Sequence, residues 1–319
     1  MPPPVEQNSV RLCGRGRGGD IMENGEWKME QRNYVFNPDI SYSRGADLVF
    51  HVLTYMKVNN ASDLYDEVYI ERIALEKANF EFDIKTHVER LQEYYNQNFE
   101  RLAIVNFMPF YVGSLQDLKN ALLNYQNFIL DDKELFIIPF LEILESESVF
   151  YFDYWDRFHY GNVEYRQGVE NRLKAELQKF SCIYKYHNIQ PFVILSYAIT
   201  RWGRGFNRSG YISSAVPFPK SDNDFNYTLI MTLHEHTHYF TNALLNRNYI
   251  TMKDESFDLS ESLAIIADYY LIKAIDETLM PDYLKLFGVD YEKDFLKHFV
   301  INDNLHNELK KKIEDILCK

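Results

Sequence analysis

The sequence predicts a helix-rich α+β fold with a small sheet near its middle. Three observations lead there. Apolar residues recur at three- and four-residue spacing over long segments before residue 190. Two short β-like runs, Phe192–Leu195 and Tyr211–Val216, are punctuated by Gly and Pro. Helical spacing then resumes from Asn226. Roughly half of the chain is expected to be helical.

In chain order, Asn33–Ser41 reads as an extended piece, followed by helices near Ala46–Met56 and Leu64–Lys77. Ile84–Glu100 carries Val88, Leu91, Tyr94 and Tyr95 on one side, and Leu115–Phe128 and Lys133–Glu147 look helical too. The aromatic run Val149–Tyr160 reads as core rather than as the lining of a cleft. Glu164–His187 is the longest clear helix, with Val169, Leu173, Leu177, Phe180 and Ile183 aligned. Between the two β-like runs, Arg201–Gly210 reads as a glycine-punctuated loop. Asn226–Asn246, Asp258–Ile275 and Asp290–Leu317 complete the helical set.

With 319 residues, 46% of them hydrophobic and 16% aromatic, the chain can bury a substantial core. A net charge of −13 argues against broad nucleic-acid binding, because a phosphate backbone needs a positive surface. Cys13, Cys182 and Cys318 are too few and too far apart for a disulfide framework or a thiolate cluster. No apolar stretch approaches the roughly 18 residues of a spanning helix. Arg11, Arg15 and Arg17 precede no apolar segment, so no secretory signal is read and a cytoplasmic location is expected. Residues 1–21, rich in Pro, Gly and Arg, differ from all that follows and are expected to be a non-native or disordered tail. The remainder divides into a mainly helical region, 22–160, and a second region, 161–319; one continuous domain from 22 to 319 is the alternative.

The second region holds His234-Glu235-His236-Thr237-His238, which contains the pattern H-E-x-x-H. On a helix His234 and His238 lie about 40° apart around the axis, so both imidazoles project from one face. Two neutral nitrogens so placed suit one tetrahedral zinc. Glu235 falls about 80° from the centre of the pair, where a carboxylate can overhang a metal without binding it and accept a proton from water. With nine histidines in the chain, the pattern would arise by chance on the order of 1% of the time. A strand would instead put His234, His236 and His238 on one face. The absence of glycine between Phe240 and Phe257, and the helical spacing beyond, favour the helix. His236 then points away from the metal face and is assigned to packing.

A third protein ligand is required, with one position left for water. Glu261 opens a predicted helix, Ala264 one turn later permits close helix approach, and Asp268 returns to nearly the same face. Glu261 can equally be the third helical residue of a capping box begun by Asp258, and Glu255 and Asp258 are alternative ligands.

Through His234, Glu235, His238 and Glu261 the segment from Tyr211 to Tyr270 resembles the gluzincin metallopeptidases, and small bacterial gluzincins more than thermolysin. The resemblance implies a zincin-like catalytic region in 161–319, its small mixed sheet packed on the zinc-binding helix. It implies one zinc ion held by His234, His238 and Glu261, Glu235 as catalytic base, and a peptide or protein substrate. It also implies an upstream edge strand that pairs with substrate, a place occupied here by Gly210–Val216. Thermolysin-like members carry an acidic residue one turn after the ligand Glu, where this chain has Ile265; Asp268 is the candidate replacement. Tyr269, Tyr270, His298 and His306 are candidates for stabilising an oxyanion. The alternative from another class is a non-catalytic binding or scaffold protein with a structural or vestigial zinc site.

Overall fold

A computed structural model describes residues 22–23, 26–27, 34–59, 63–77, 80, 82–248, 255–289, 292–296, 298–299 and 301–318. The tail 1–21 lies outside them. The chain divides into two units, Met1–Val35 and Phe36–Lys319. In the first, β1 (Met22–Glu23) pairs antiparallel with β2 (Glu26–Trp27). All elements considered below belong to the second.

That unit is α+β, and helix takes up 69% of the structure, more than the half expected. Part of the excess lies in Val149–Tyr160, which continues the helix begun after Lys133. A π-helical turn, Lys133–Ile137, leads into one helix, Ile138–Gly161. Within it Tyr151, Trp155 and His159 recur every four residues on the buried side, while Val149 and Tyr160 face solvent. The expected helix Glu164–His187 is two helices, Val163–Lys179 and Ser181–His187, broken at Phe180. Phe180 and Ile183 are both buried, so the apolar spacing runs through the break and conceals it.

The helices begin where short polar side chains can accept the first free backbone N–H groups. Ser43 Oγ accepts from Ala46 N at 3.2 Å, and Asp66 Oδ1 accepts from Tyr69 N at 3.0 Å. Asn188, in a left-handed conformation with φ 51°, ends Ser181–His187 and turns the chain into the sheet.

The sheet has four strands: β3 (Asp39–Ser41), β4 (Gln190–Ser196), β5 (Arg204–Arg208) and β6 (Tyr211–Pro217), in the order β3-β4-β6-β5. β3, β4 and β6 are parallel, and β5 runs antiparallel to β6. Two expectations are corrected here. Tyr211–Val216 lies within β6, an interior strand flanked on both sides and buried along six of its seven residues. The edge is β5, formed by the glycine-punctuated segment read as a loop. Glycine weakens strand propensity, which disguises β5 in the sequence. The β5–β6 turn closes through Gly210 at φ 81°, a conformation glycine adopts without the Cβ penalty.

Phe225–Asn248, hereafter the histidine helix, packs on β6 and β5. Leu229, Ile230, Met231, Leu233, Phe240 and Leu244 are buried around it. Its buried threonines meet their hydrogen-bonding needs locally. Thr232, Thr237 and Thr241 donate to the carbonyls of Thr228, Leu233 and Thr237, four residues back. Thr228 donates to Pro217 O at the end of β6, fixing the start of the helix against the sheet. Glu255–Ile275, the carboxylate helix, packs along it. Ala264 and Ala267, both fully buried, allow that close approach. No helix among the described residues is long and apolar enough to cross a membrane.

Candidate metal centre

His234, Glu235 and His238 lie in the middle of the histidine helix, and Glu261 lies in the second turn of the carboxylate helix. That helix begins at Glu255, so Glu261 is not at the third position where a capping box would put it. Its carboxylate faces the two imidazoles instead. Oε2 is 3.2 Å from His234 Nε2, and Oε1 is 3.4 Å from His238 Nε2. The potential ligand atoms of the three residues all lie within 4.8 Å of one another. The side chains of Glu255 and Asp258, the alternative ligands, lie outside the described residues.

These separations can be compared with a metal polyhedron. Ligands at roughly 2.0–2.1 Å from a tetrahedral zinc stand about 3.3–3.4 Å apart. Each imidazole–carboxylate distance, one to each oxygen of Glu261, is of the size of such an edge, and two imidazoles with a carboxylate are donor types that zinc accepts.

The outer nitrogens of both rings have partners. Asp268 Oδ2 is 2.8 Å from His234 Nδ1, with both groups buried. Glu261 and Asp268 are two helical turns apart and on one face, so a single helix grips His234 at both nitrogens. The contact of Nδ1 with Asp268 fixes the ring so that Nε2 faces Glu261 and the cluster. Ile265 lies between the two acids; its side chain is apolar and buried, and its carbonyl accepts from Tyr283. Ser260 Oγ stands 3.4 Å from His238 Nδ1 and donates to Asn242 Oδ1 at 2.7 Å. The hydroxyl oxygen is thereby left to accept from His238.

Electrostatics within the cluster are strongly coupled. Burial works to raise the Glu261 carboxyl, but hydrogen bonds and charge from His234 and His238 hold it well below the usual carboxylate range. Burial likewise works to lower His234, while Asp268 and Glu261 raise it well above its usual value.

Glu235 is held by the sheet edge. A Cβ built on Gly203 would stand 2.7 Å from Glu235 Cγ and 2.8 Å from Oε1; one on Gly205 would be 3.1 Å from Oε2. The Glu235 side chain therefore occupies the space that a side chain at 203 would fill, and a Cβ at 205 would be tight against Oε2. His236 points the other way, as expected for a packing residue. Its Nδ1 is 2.8 Å from Tyr184 Oη and its Nε2 2.9 Å from Ser214 Oγ on β6. Burial pushes it down to about 3, so it is a neutral anchor between helix and sheet.

Arg204 was not singled out from the sequence. It lies between the two glycines on β5, is 8% exposed, and donates to Gly203 O at 2.7 Å. Burial lowers its pKa, while the negative charges of Glu235 and Glu261 favour its charged form. A cation is thus buried beside two acids of the site. The sole sequence signal was an arginine alternating with glycines in Arg201-Trp202-Gly203-Arg204-Gly205.

The four expected oxyanion donors are engaged elsewhere or exposed. Tyr269 Oη donates to Glu292, Tyr270 Oη contacts His306 Nε2 at 2.8 Å, and His298 faces solvent. Comparison with known proteins found no family model, no curated protein and no solved structure that the chain matches.

Proposed function

We propose that this chain is a zinc-dependent hydrolase of zincin-like fold that cleaves peptide bonds. His234, His238 and Glu261 hold one zinc ion and Glu235 is the general base. The observation that carries the reading is the convergence of His234 Nε2, His238 Nε2 and the Glu261 carboxylate at separations of 3.2 and 3.4 Å, with Asp268 on the far nitrogen of His234.

When bound, zinc polarises a substrate carbonyl and brings the pKa of its water to about 7. The chain's own groups do the rest. Asp268 and Ser260 engage the outer Nδ1 atoms and so set the ring orientations, with both Nε2 atoms facing Glu261. Glu235, wedged against Gly203 and Gly205, accepts a proton and passes it to the leaving amine. Arg204 offsets the negative charge that the acids bring to a half-enclosed site.

The peptide substrate is supported by resemblance and by the strand order. β5 is an edge antiparallel to its neighbour. Asn207 N donates outward to Tyr111 Oη at 3.0 Å. By strand alternation Gly205, two residues back, turns its N–H and C=O the same way. It therefore offers a backbone donor and acceptor next to Glu235, to which an extended peptide can pair without its side chains being read. The position of Glu235 weighs against a purely structural zinc, which has no use for a carboxylate so confined.

The test is metal analysis of the purified chain beside His234→Ala and Glu235→Gln, with hydrolysis of a mixture of quenched fluorescent peptides. The expected result is about one zinc per chain, lost in the first variant and kept in the second while hydrolysis disappears. Wild-type protein without metal, or Glu235→Gln that still cleaves, would overturn the reading.

A further inference from the structure

Away from the histidines, beyond the carboxyl ends of the parallel strands β4 and β6, lies a pocket of about 110 Å³. Its walls are aromatic: Tyr154 and Phe158 from the helix Ile138–Gly161, Tyr197 after β4, and Phe218 after β6. Tyr197 packs edge-on against both Phe158 and Phe218, with ring centroids 4.8 and 5.0 Å apart, so the walls brace one another. An apolar cavity of about 150 Å³ holds benzene; this one suits a phenyl or branched alkyl group.

Two cations line the same pocket, Arg72 and Lys220. Among the described residues neither has a hydrogen bond or ion pair to an acid, and the Nε of Arg72 is buried without a partner. Burial and the nearby Arg72 charge push Lys220 down, while Asp66 and Asp224 favour its charged form. Asp224 is the single acid in the lining, and it accepts from Ser221 Oγ at 2.8 Å. The first turn of the histidine helix, through Tyr227 and Thr228, adds its positive end. The lining is thus apolar in body and carries two cations and one acid, with Asp66 a second acid acting on Lys220.

From Arg72 and Lys220, which make no close ion pair among the described residues, beside these aromatic walls we infer that the pocket binds a small monocarboxylate carried on an aromatic or branched apolar body. The carboxylate receives the forked N–H groups of Arg72 and the ammonium of Lys220, while the apolar body fills the aromatic enclosure. Tyr227 precedes His234 by seven residues, about 10 Å along the helix, and the pocket shares no residue with the metal cluster. The inference is independent of zinc and of hydrolysis.

Isothermal titration of the full chain with 3-phenylpropionate, and with the neutral 3-phenylpropanol, tests it. The acid is expected to bind saturably at one site, at least about tenfold more tightly than the alcohol. Binding should weaken by a similar factor in Lys220→Met and in Arg72→Met, and should fall with added salt. Lys220 is the more exposed of the two cations, so its variant remains informative should Arg72→Met fold poorly, and a thermal melt of each reports that directly. Equal affinity for acid and alcohol, wild-type affinity in Lys220→Met, or no saturable binding overturns the inference. Tighter binding of a Phe-terminated tripeptide than of the free acid overturns the small-molecule assignment in favour of a peptide terminus.

Discussion

Alanine at position 203 isolates the role proposed for Glu235 without touching a proposed metal ligand. The new Cβ would sit 2.7 Å from Glu235 Cγ and 2.8 Å from Oε1. Ordinary carbon contacts lie at about 3.5–4.0 Å, so roughly 1 Å must be made up. Gly203 does not occupy the positive-φ region, and alanine there imposes no backbone strain of its own. Cγ is only two bonds from the helix backbone, so the displacement requires rotation of the whole Glu235 side chain or retreat of β5. Misplacing a catalytic group by about 1 Å costs on the order of 100-fold in rate. Gly203→Ala should therefore lower kcat/KM for quenched peptides by about that factor. Its zinc content should match wild type, because His234 and His238 lie on a different arc of the helix. Gly205→Ala, whose Cβ meets only Oε2 at 3.1 Å and the Glu235 carbonyl at 3.5 Å, should lose less. Activity in Gly203→Ala within about threefold of wild type would refute the view that Glu235 works from the position seen here.

Two further outcomes follow from other parts of the molecule. Removing the Asp268 carboxylate leaves His234 Nδ1 buried without its acceptor, so Asp268→Ala should weaken zinc binding by about 10–100-fold in chelator competition; unchanged affinity would show that Asp268 does not orient the ring. Asp47, fully buried, is raised to about 6 by burial, which outweighs the bonds it accepts from Ser196, Trp155 and Tyr197. Below pH 3.8, the value in the unfolded chain, both states hold the proton. As the pH rises to about 6 the unfolded chain releases it first, and stability falls by roughly 3 kcal/mol. Urea denaturation at pH 4 and pH 7 should show Asp47→Asn gaining on wild type by about that amount at the higher pH, and a constant difference between the two proteins would contradict the assignment.

Local features were legible in the residues. The spacing of Val88, Leu91 and Tyr95 marks a helix that the structure has at Ile84–Gln97, because helical periodicity depends on neighbours within two turns. Glu261 and Asp268 were legible as one face of a helix for the same reason. Strand order was not. Tyr211–Pro217 and Arg204–Arg208 differ in which strand has two neighbours, and pairing is settled by contacts distant in sequence. One signal was present: Ile212–Val216 carries no charged residue on either face, in keeping with an interior parallel strand. A second was the pair Gly203 and Gly205, since glycine within a strand marks close approach by another group.

His234, Glu235 and His238 were determined by the sequence alone, because four residues of one helix fix their mutual geometry whatever surrounds them. Tertiary structure decided everything that brings other segments to them. The carboxylate helix begins early enough to turn Glu261 toward the histidines, and two turns on it carries Asp268 to the back of His234. β5 closes against Glu235 through two missing side chains, and Arg204 comes with it. These contacts span separations of about 20 to 35 residues, over which no local rule acts; packing of the buried helix faces and pairing along the sheet set them.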